Sequence, residues 1–248
     1  MLVAFDLYCR IPFGKFHSKN PELISAAQLI GRTPSALAMR LSNIASLDPA
    51  ITSSGRRGLA NASAADREMW EEMHADWEHF AIEAEQAASA AGVVLPHEEA
   101  VGDTEDPTVD YTGGSKAAQV MIRIGQNFFR RAVLSAYDHR CCITGLALPS
   151  LLVASHIIPW SADARNRLNP RNGLCLSVLH DGAFDAGIIT IAKKMTVHVS
   201  TKHAEAHGPF FESAIASYDG HPIVLPEKFQ PDPQFLDYHR QHIFQAEG

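Results

Sequence analysis

Leu23, Ala26, Ala27 and Ile30 recur at three- and four-residue spacing, and the same rhythm returns at Leu37, Leu41 and Ile44. The spacing predicts two helices. Asn20 and Thr33 stand where side-chain caps belong, and each is followed by a proline suited to the first helical position. Gly31 ends the first helix and Asp48-Pro49 the second. Two short helices about a glycine turn have the form of a helix-turn-helix, and equally of an ordinary helical hairpin. A longer apolar stripe follows, through Met69, Trp70, Met73, Trp77, Phe80 and Ala84. It begins at a Ser63/Asp66 capping box and predicts one long helix over residues 63–91, ended by Gly92. Between residues 93 and 115 the periodicity disappears into "VVLPHEEAVGDTEDPTVDYTGGS", which reads as a linker. Beyond it, "SKAAQVMIRIGQNFFRRAVLSAYDHR" reads as a helix, and "LLVASHI" and "GLCLS" as short strands. "VLHDGAFD" is a short helix capped by Ser177 and ended by Gly187, "GIITI" and "TVHVS" are the arms of a hairpin, and "DPQFLDYHRQHIF" is a last helix. The class is therefore α+β, with a helical unit over 1–92, a linker over 93–115 and a strand-bearing unit over 116–248.

Charge changes this picture. The net charge of −7 speaks against a nucleic-acid partner, but its distribution does not. Residues 1–67 carry eight Lys/Arg against four Asp/Glu, residues 68–115 thirteen acids and no Lys or Arg, and residues 116–171 eight Lys/Arg against two acids. Two basic segments flank an acidic one, and such asymmetry locates a phosphate-binding face better than the total does. Arg32 and Arg40, beside and within the second predicted helix, suit phosphate contact, and Arg56-Arg57 lies in a polar loop. The long stripe over 63–91 is either core or a dimer surface. No apolar run reaches the ~20 residues of a membrane helix. The opening "MLVAFDLYCRIPFGKFHSKN" lacks the basic and apolar regions of a secretory leader, so a cytoplasmic protein is expected. Cys9, Cys141, Cys142 and Cys175 show no C-x-x-C spacing, which predicts buried thiols and no structural zinc.

Candidate chemistry concentrates in "LLVASHIIPWSADARNRLNPRNGLCLSVLHDGAFDAG", residues 151–187. A strand ends on His156, a loop returns at Asn172-Gly173, a second strand follows, and a short helix carries His180. The blocks "FFRRAVLSAYDHRCCITG", "ASHIIPW", "NPRNGLCLS" and "LHDGAFDAGIITI", in that order, resemble the HNH endonucleases of the ββα-metal fold, in their restriction-type branch. The resemblance covers residues 116–200. It implies a C-terminal ββα-metal nuclease domain beside the helix-turn-helix-like N-terminal part.

It also implies roles. His156 stands in the position of the general base, and an imidazole near its ordinary pKa can take a proton from water at neutral pH. Asn172 matches the letter that braces the loop and orients that ring. His180 matches the ligand of one divalent ion, Mg²⁺ or Mn²⁺. Many members carry Asp, Glu or His immediately before the base, whereas this chain has Ser155, so a further ligand must come from elsewhere. Asp185 is chosen over Asp181, with anchoring of the following hairpin as its other role. Arg123, Arg130 and Arg131 precede the motif on a helix and are candidate contacts to double-stranded DNA. The expected function is metal-dependent hydrolysis of DNA phosphodiesters, restriction-type and modification-dependent in one version, by a homodimer. The alternatives are a DNA-binding protein with an inactive module, and a nuclease toxin.

Overall fold

The computed structural model describes residues 1–55, 62–93, 116–202 and 208–246. The Arg56-Arg57 loop and the linker from residue 94 onward lie outside the described residues. The helices are α1 (Leu2–Arg10), α2 (Pro21–Leu29), α3 (Pro34–Ala45), α4 (Pro49–Ser53), α5 (Ala64–Ala75), α6 (Trp77–Ala90), α7 (Lys116–Ala136), α8 (Val178–Asp185), α9 (Pro209–Ala214) and α10 (Pro233–His242). Strands β1 (Leu152–His156) and β2 (Gly173–Ser177) form one antiparallel pair, and β3 (Ile189–Ile191) and β4 (Val197–Val199) another.

The predicted caps form. Asn20 accepts from the Glu22 N–H, Thr33 from Ala36 and Ser177 from His180, and Ser63 with Asp66 closes a capping box. Asp48, expected only as a helix stop, also caps α4 at Ala50 N. Two differences from the sequence expectation stand out. The long helix over 63–91 is broken at Asp76, whose extended backbone (φ −150°, ψ 89°) lets its carboxylate cap α6 at His79 N. The apolar stripe runs across the break, which is why periodicity alone does not reveal it. The second difference is α1. Every residue from Ala4 to Arg10 is buried, so this helix has no polar face to give it an amphipathic rhythm. Its two charged residues pair with each other one turn apart, Arg10 to Asp6 at 2.6 Å.

Helix α1 packs against α3, α6 and α7. Phe5 meets Phe80 edge-on with ring centroids 5.7 Å apart, and Tyr8 meets Trp70 at 6.1 Å. The Met/Trp/Phe stripe expected to offer a dimer surface is thus consumed inside the chain, with Met73, Trp77 and Phe80 buried. Of the two readings of the stripe, core and dimer surface, its packing on α1 matches the first. The end of α1 is closed from far along the sequence. The Nζ of Lys228, fully buried, shares its three protons among the carbonyls of Tyr8, Cys9 (3.1 Å) and Ile11 (2.8 Å) and Ser135 Oγ on α7 (3.0 Å). A cation there satisfies the carbonyls a helix leaves open at its C-terminus.

Helix α7 joins the two halves. One side meets α1 and α6, the other lies across β1 and β2. Gly173 permits this approach: a Cβ there would come within 2.4 Å of Val133 Cγ2 and 3.0 Å of Phe129 Cζ. Its backbone is extended (φ −128°), so the Asn-Gly pair serves close packing of helix on strand rather than a left-handed turn. One buried apolar cluster runs from α1 through α7 to the strands. All four cysteines are buried and unpaired, and burial raises the thiol pKa of Cys142 well above its ordinary value and that of Cys175 to about 12. No helix among the described residues is long and apolar enough to cross a membrane.

Candidate active site

Pairing His156 with Gly173 and Leu152 with Ser177 fixes the faces of the hairpin. Side chains alternate along a strand, so Leu152, Ala154 and His156 point one way and Val153 and Ser155 the other. The first face meets α7, where the His156 ring stacks on Phe129 with centroids 3.9 Å apart and planes 8° from parallel. Trp160 closes on the same imidazole edge-first at 5.6 Å. His156 Nε2 donates to the backbone carbonyl of Arg167 at 2.9 Å. A carbonyl only accepts, so this contact puts the ring proton of the neutral imidazole on Nε2 and makes Nδ1 its basic nitrogen.

Asn172 is buried and commits its whole amide to the loop between the strands. Its Oδ1 accepts from Ile158 N (2.8 Å), and its Nδ2 donates to the carbonyls of Ile158 (3.1 Å) and Asn166 (3.2 Å). Two further asparagines extend the brace. Asn169 Nδ2 donates to Asn166 Oδ1 (3.1 Å), and Asn166 Nδ2 donates to Asp163 Oδ2 (2.7 Å). The residue beside Asn166 is Arg167, whose carbonyl holds His156. Sequence reasoning singled out Asn172 alone. The repeat of asparagine at residues 166, 169 and 172 is the signal that marks the rest of this network.

The other face of the hairpin meets α8. Ser155 lies close to Asp181, near enough to pull its carboxyl pKa down against the larger upward push of burial, although its Oγ makes no hydrogen bond of ordinary geometry. His180 is buried one position earlier. The Ser177 hydroxyl accepts from His180 N and lies 2.8 Å from Nδ1. Burial lowers the His180 pKa, with the Ala214 backbone pulling the other way. Its Nε2 is enclosed, with the Tyr218 ring edge-on at 5.4 Å, and makes no well-aligned hydrogen bond among the described residues. A hydroxyl against one ring nitrogen fixes the ring orientation, as a metal-ligating imidazole requires. Asp185 sits exposed at the last position of α8. Among the described residues no three His, Cys, Asp or Glu side chains converge as a protein-only metal cage would require. A divalent ion held by one or two of these side chains would leave the rest of its shell to water and phosphate.

The arginines chosen from the sequence fall into different settings. Arg123 is exposed on α7, and Arg32 is exposed in the turn between α2 and α3. Arg130 donates to the Leu152 carbonyl at 3.0 Å, tying α7 to β1. Arg131 pairs with Glu85 of α6, and Arg40 with the buried Asp66 of α5. Arg167, not chosen from the sequence, lies over the Trp160 ring with its guanidinium carbon 5.2 Å from the centroid.

Residues 141–192 match the family model described as HNH endonuclease. The match spans β1, the braced loop, β2, α8 and β3, and so contains His156, Asn172, His180, Asp181 and Asp185. No match to a curated protein reaches significance.

Proposed function

We propose that the HNH endonuclease domain at residues 141–192 makes this chain a metal-dependent DNA endonuclease of restriction type. The observation that carries the reading is His156: a half-buried imidazole at a strand end, held in one tautomer by the Arg167 carbonyl, inside the matched segment. In this reading Nδ1 takes the proton from the attacking water. Phe129 and Trp160 fix the ring plane, and Asn172 fixes the loop that supplies the carbonyl. His180, with Asp181 rather than the exposed Asp185, would hold one divalent ion, Mg²⁺ or Mn²⁺. That ion supplies charge neutralisation at the scissile phosphate and the leaving oxygen. Arg123 of the site half and Arg32 of the α2–α3 turn would add backbone phosphate contacts to double-stranded DNA, steered by the basic segments. One such module cuts one strand, so cutting both calls for two copies.

The test is plasmid nicking by purified protein in Mg²⁺ or Mn²⁺. The parent is expected to nick and His156→Ala to be inactive, with chelation abolishing the parent's activity. An alanine variant as active as the parent sinks the assignment of the base. Manganese uptake by calorimetry, reduced in His180→Ala, tests the ligand independently of turnover.

A further inference from the structure

Arg167 belongs to the same unit as His156 twice over. Its backbone carbonyl accepts from His156 Nε2, and its side chain lies on Trp160, the ring that closes on His156. The guanidinium is held in place as well. Its Nε donates to the Trp160 carbonyl at 3.2 Å, and its central carbon lies over the indole. Those two contacts fix the near edge of the group and leave the Nη1/Nη2 fork. Among the described residues the fork has no hydrogen-bond or ion-pair partner, and the residue is only half buried. The loop's one carboxylate does not neutralise it: Asp163 accepts from Arg165 N and from Asn166 Nδ2. The surrounding segment, residues 116–171, carries eight Lys/Arg against two acids.

A guanidinium held by its Nε and by a cation–π contact loses little further freedom when it binds. Its fork matches the paired nonbridging oxygens of a phosphodiester. Of the arginines on α7, Arg130 and Arg131 are spent on the Leu152 carbonyl and on Glu85, while Arg123 is exposed. We propose that Arg167 is the phosphate clamp of this site, its Nη1 and Nη2 gripping the DNA phosphate presented to His156. The proposal rests on the nuclease reading above.

Its test compares the parent with Arg167→Gln, Arg167→Lys, Arg165→Gln and His156→Ala in two assays. The first is anisotropy of a fluorescein-labelled DNA duplex without metal over a range of KCl; the second is plasmid nicking in Mn²⁺. A lost phosphate contact lowers the slope of log affinity against log salt by about 0.9. Arg167→Gln is expected to show that drop and a loss of nicking on the order of 100-fold. Arg167→Lys should recover the slope but little of the rate, since an ammonium keeps the charge and lacks the fork. Arg165→Gln should leave the rate near that of the parent. A slope and rate for Arg167→Gln within twofold of the parent overturn the proposal. If that variant melts early, a Lys variant that nicks like the parent overturns it instead. Failure of the nuclease reading looks different: a parent that does not nick, or a His156→Ala variant that does, with the salt slope still reporting on Arg167. A parent that binds no duplex overturns the clamp.

Discussion

Asn172 and its neighbour Gly173 carry opposite burdens at the same point of the chain. Replacing Asn172 by alanine removes three hydrogen bonds and strands the Ile158 N–H in a buried place. The expected cost is about 3 kcal/mol, read by urea unfolding, with nicking lost as the loop releases the Arg167 carbonyl. Gly173→Ala forces a methyl into Val133, where neither α7 nor β2 can yield freely, and is expected to cost about 1–3 kcal/mol in the same measurement. The sequence singles out His156, Asn172 and His180 as candidates because their chemistry is type-specific and their order is distinctive. It does not make legible which side of the hairpin each one serves. His156 faces α7 and Ser155 faces α8 because of strand alternation in a register set only by pairing. The settings of Asp181 and Asp185 turn on the same fact. Either carboxylate fits the helix, and only the seating of α8 against β1 brings Asp181, and not a residue one turn later, next to Ser155.

Helix α8 is pinned at both ends. Ser177 caps its start, and α10 grips its finish: His239 donates from Nε2 to the Phe184 carbonyl at 3.1 Å, and its Nδ1 accepts from Thr190 Oγ1 at 2.9 Å. The chain after α10 seats against Gly187, where a Cβ would lie 2.1 Å from the Ile243 carbonyl oxygen, and where φ is +69°. Burial pushes the His239 pKa down to about 4. An unfolded histidine titrates near ~6.5. The unfolded chain therefore binds the proton first, and this residue's contribution to stability, full above about pH 6.5, is lost as pH falls toward 4. His239→Gln should weaken the fold at pH 7 and flatten that part of the acid limb, measured by thermal melts from pH 4 to 7. Elements with one buried face were readable in advance, as α2, α3, α7 and α10 were. Helix α1 was not, because burial on all sides erases the periodic signal and nine residues form no stable helix alone.

Across the whole molecule the helical and strand-bearing halves are joined by charge as well as by apolar contact. Arg10 pairs with both Asp6 and Glu85, and Glu85 also takes Arg131 from α7. Burial outweighs the nearby guanidinium at Asp6 and raises its pKa to about 7. Folding then favours the protonated acid. The stabilising effect is full below the unfolded value near ~3.9 and fades as pH rises through 7. Asp6→Asn is expected to remove this decline, so that chemical unfolding at pH 8 shows the variant closer to the parent, or above it, than at pH 4. Lys228→Met leaves the carbonyls at the end of α1 without a donor inside the core. It is expected to destabilise by about 3–5 kcal/mol in the same experiment. A fragment beginning at residue 116 should fail to fold for the matching reason, since α7 would expose the side it turns toward α1 and α6.

The Lys228 contact also sets an order of events during synthesis. Its partner at Tyr8 is 220 residues earlier in the chain. On a ribosome adding roughly 5–20 residues per second, α1 emerges and then waits on the order of ten to forty seconds for its closing cation. Strands β1 and β2 and helix α8 are all made within that interval, before the Lys228 contact can form. The end of α1 thus stays without its closing cation while the helices and strands between them are made, and this contact is among the late ones to form.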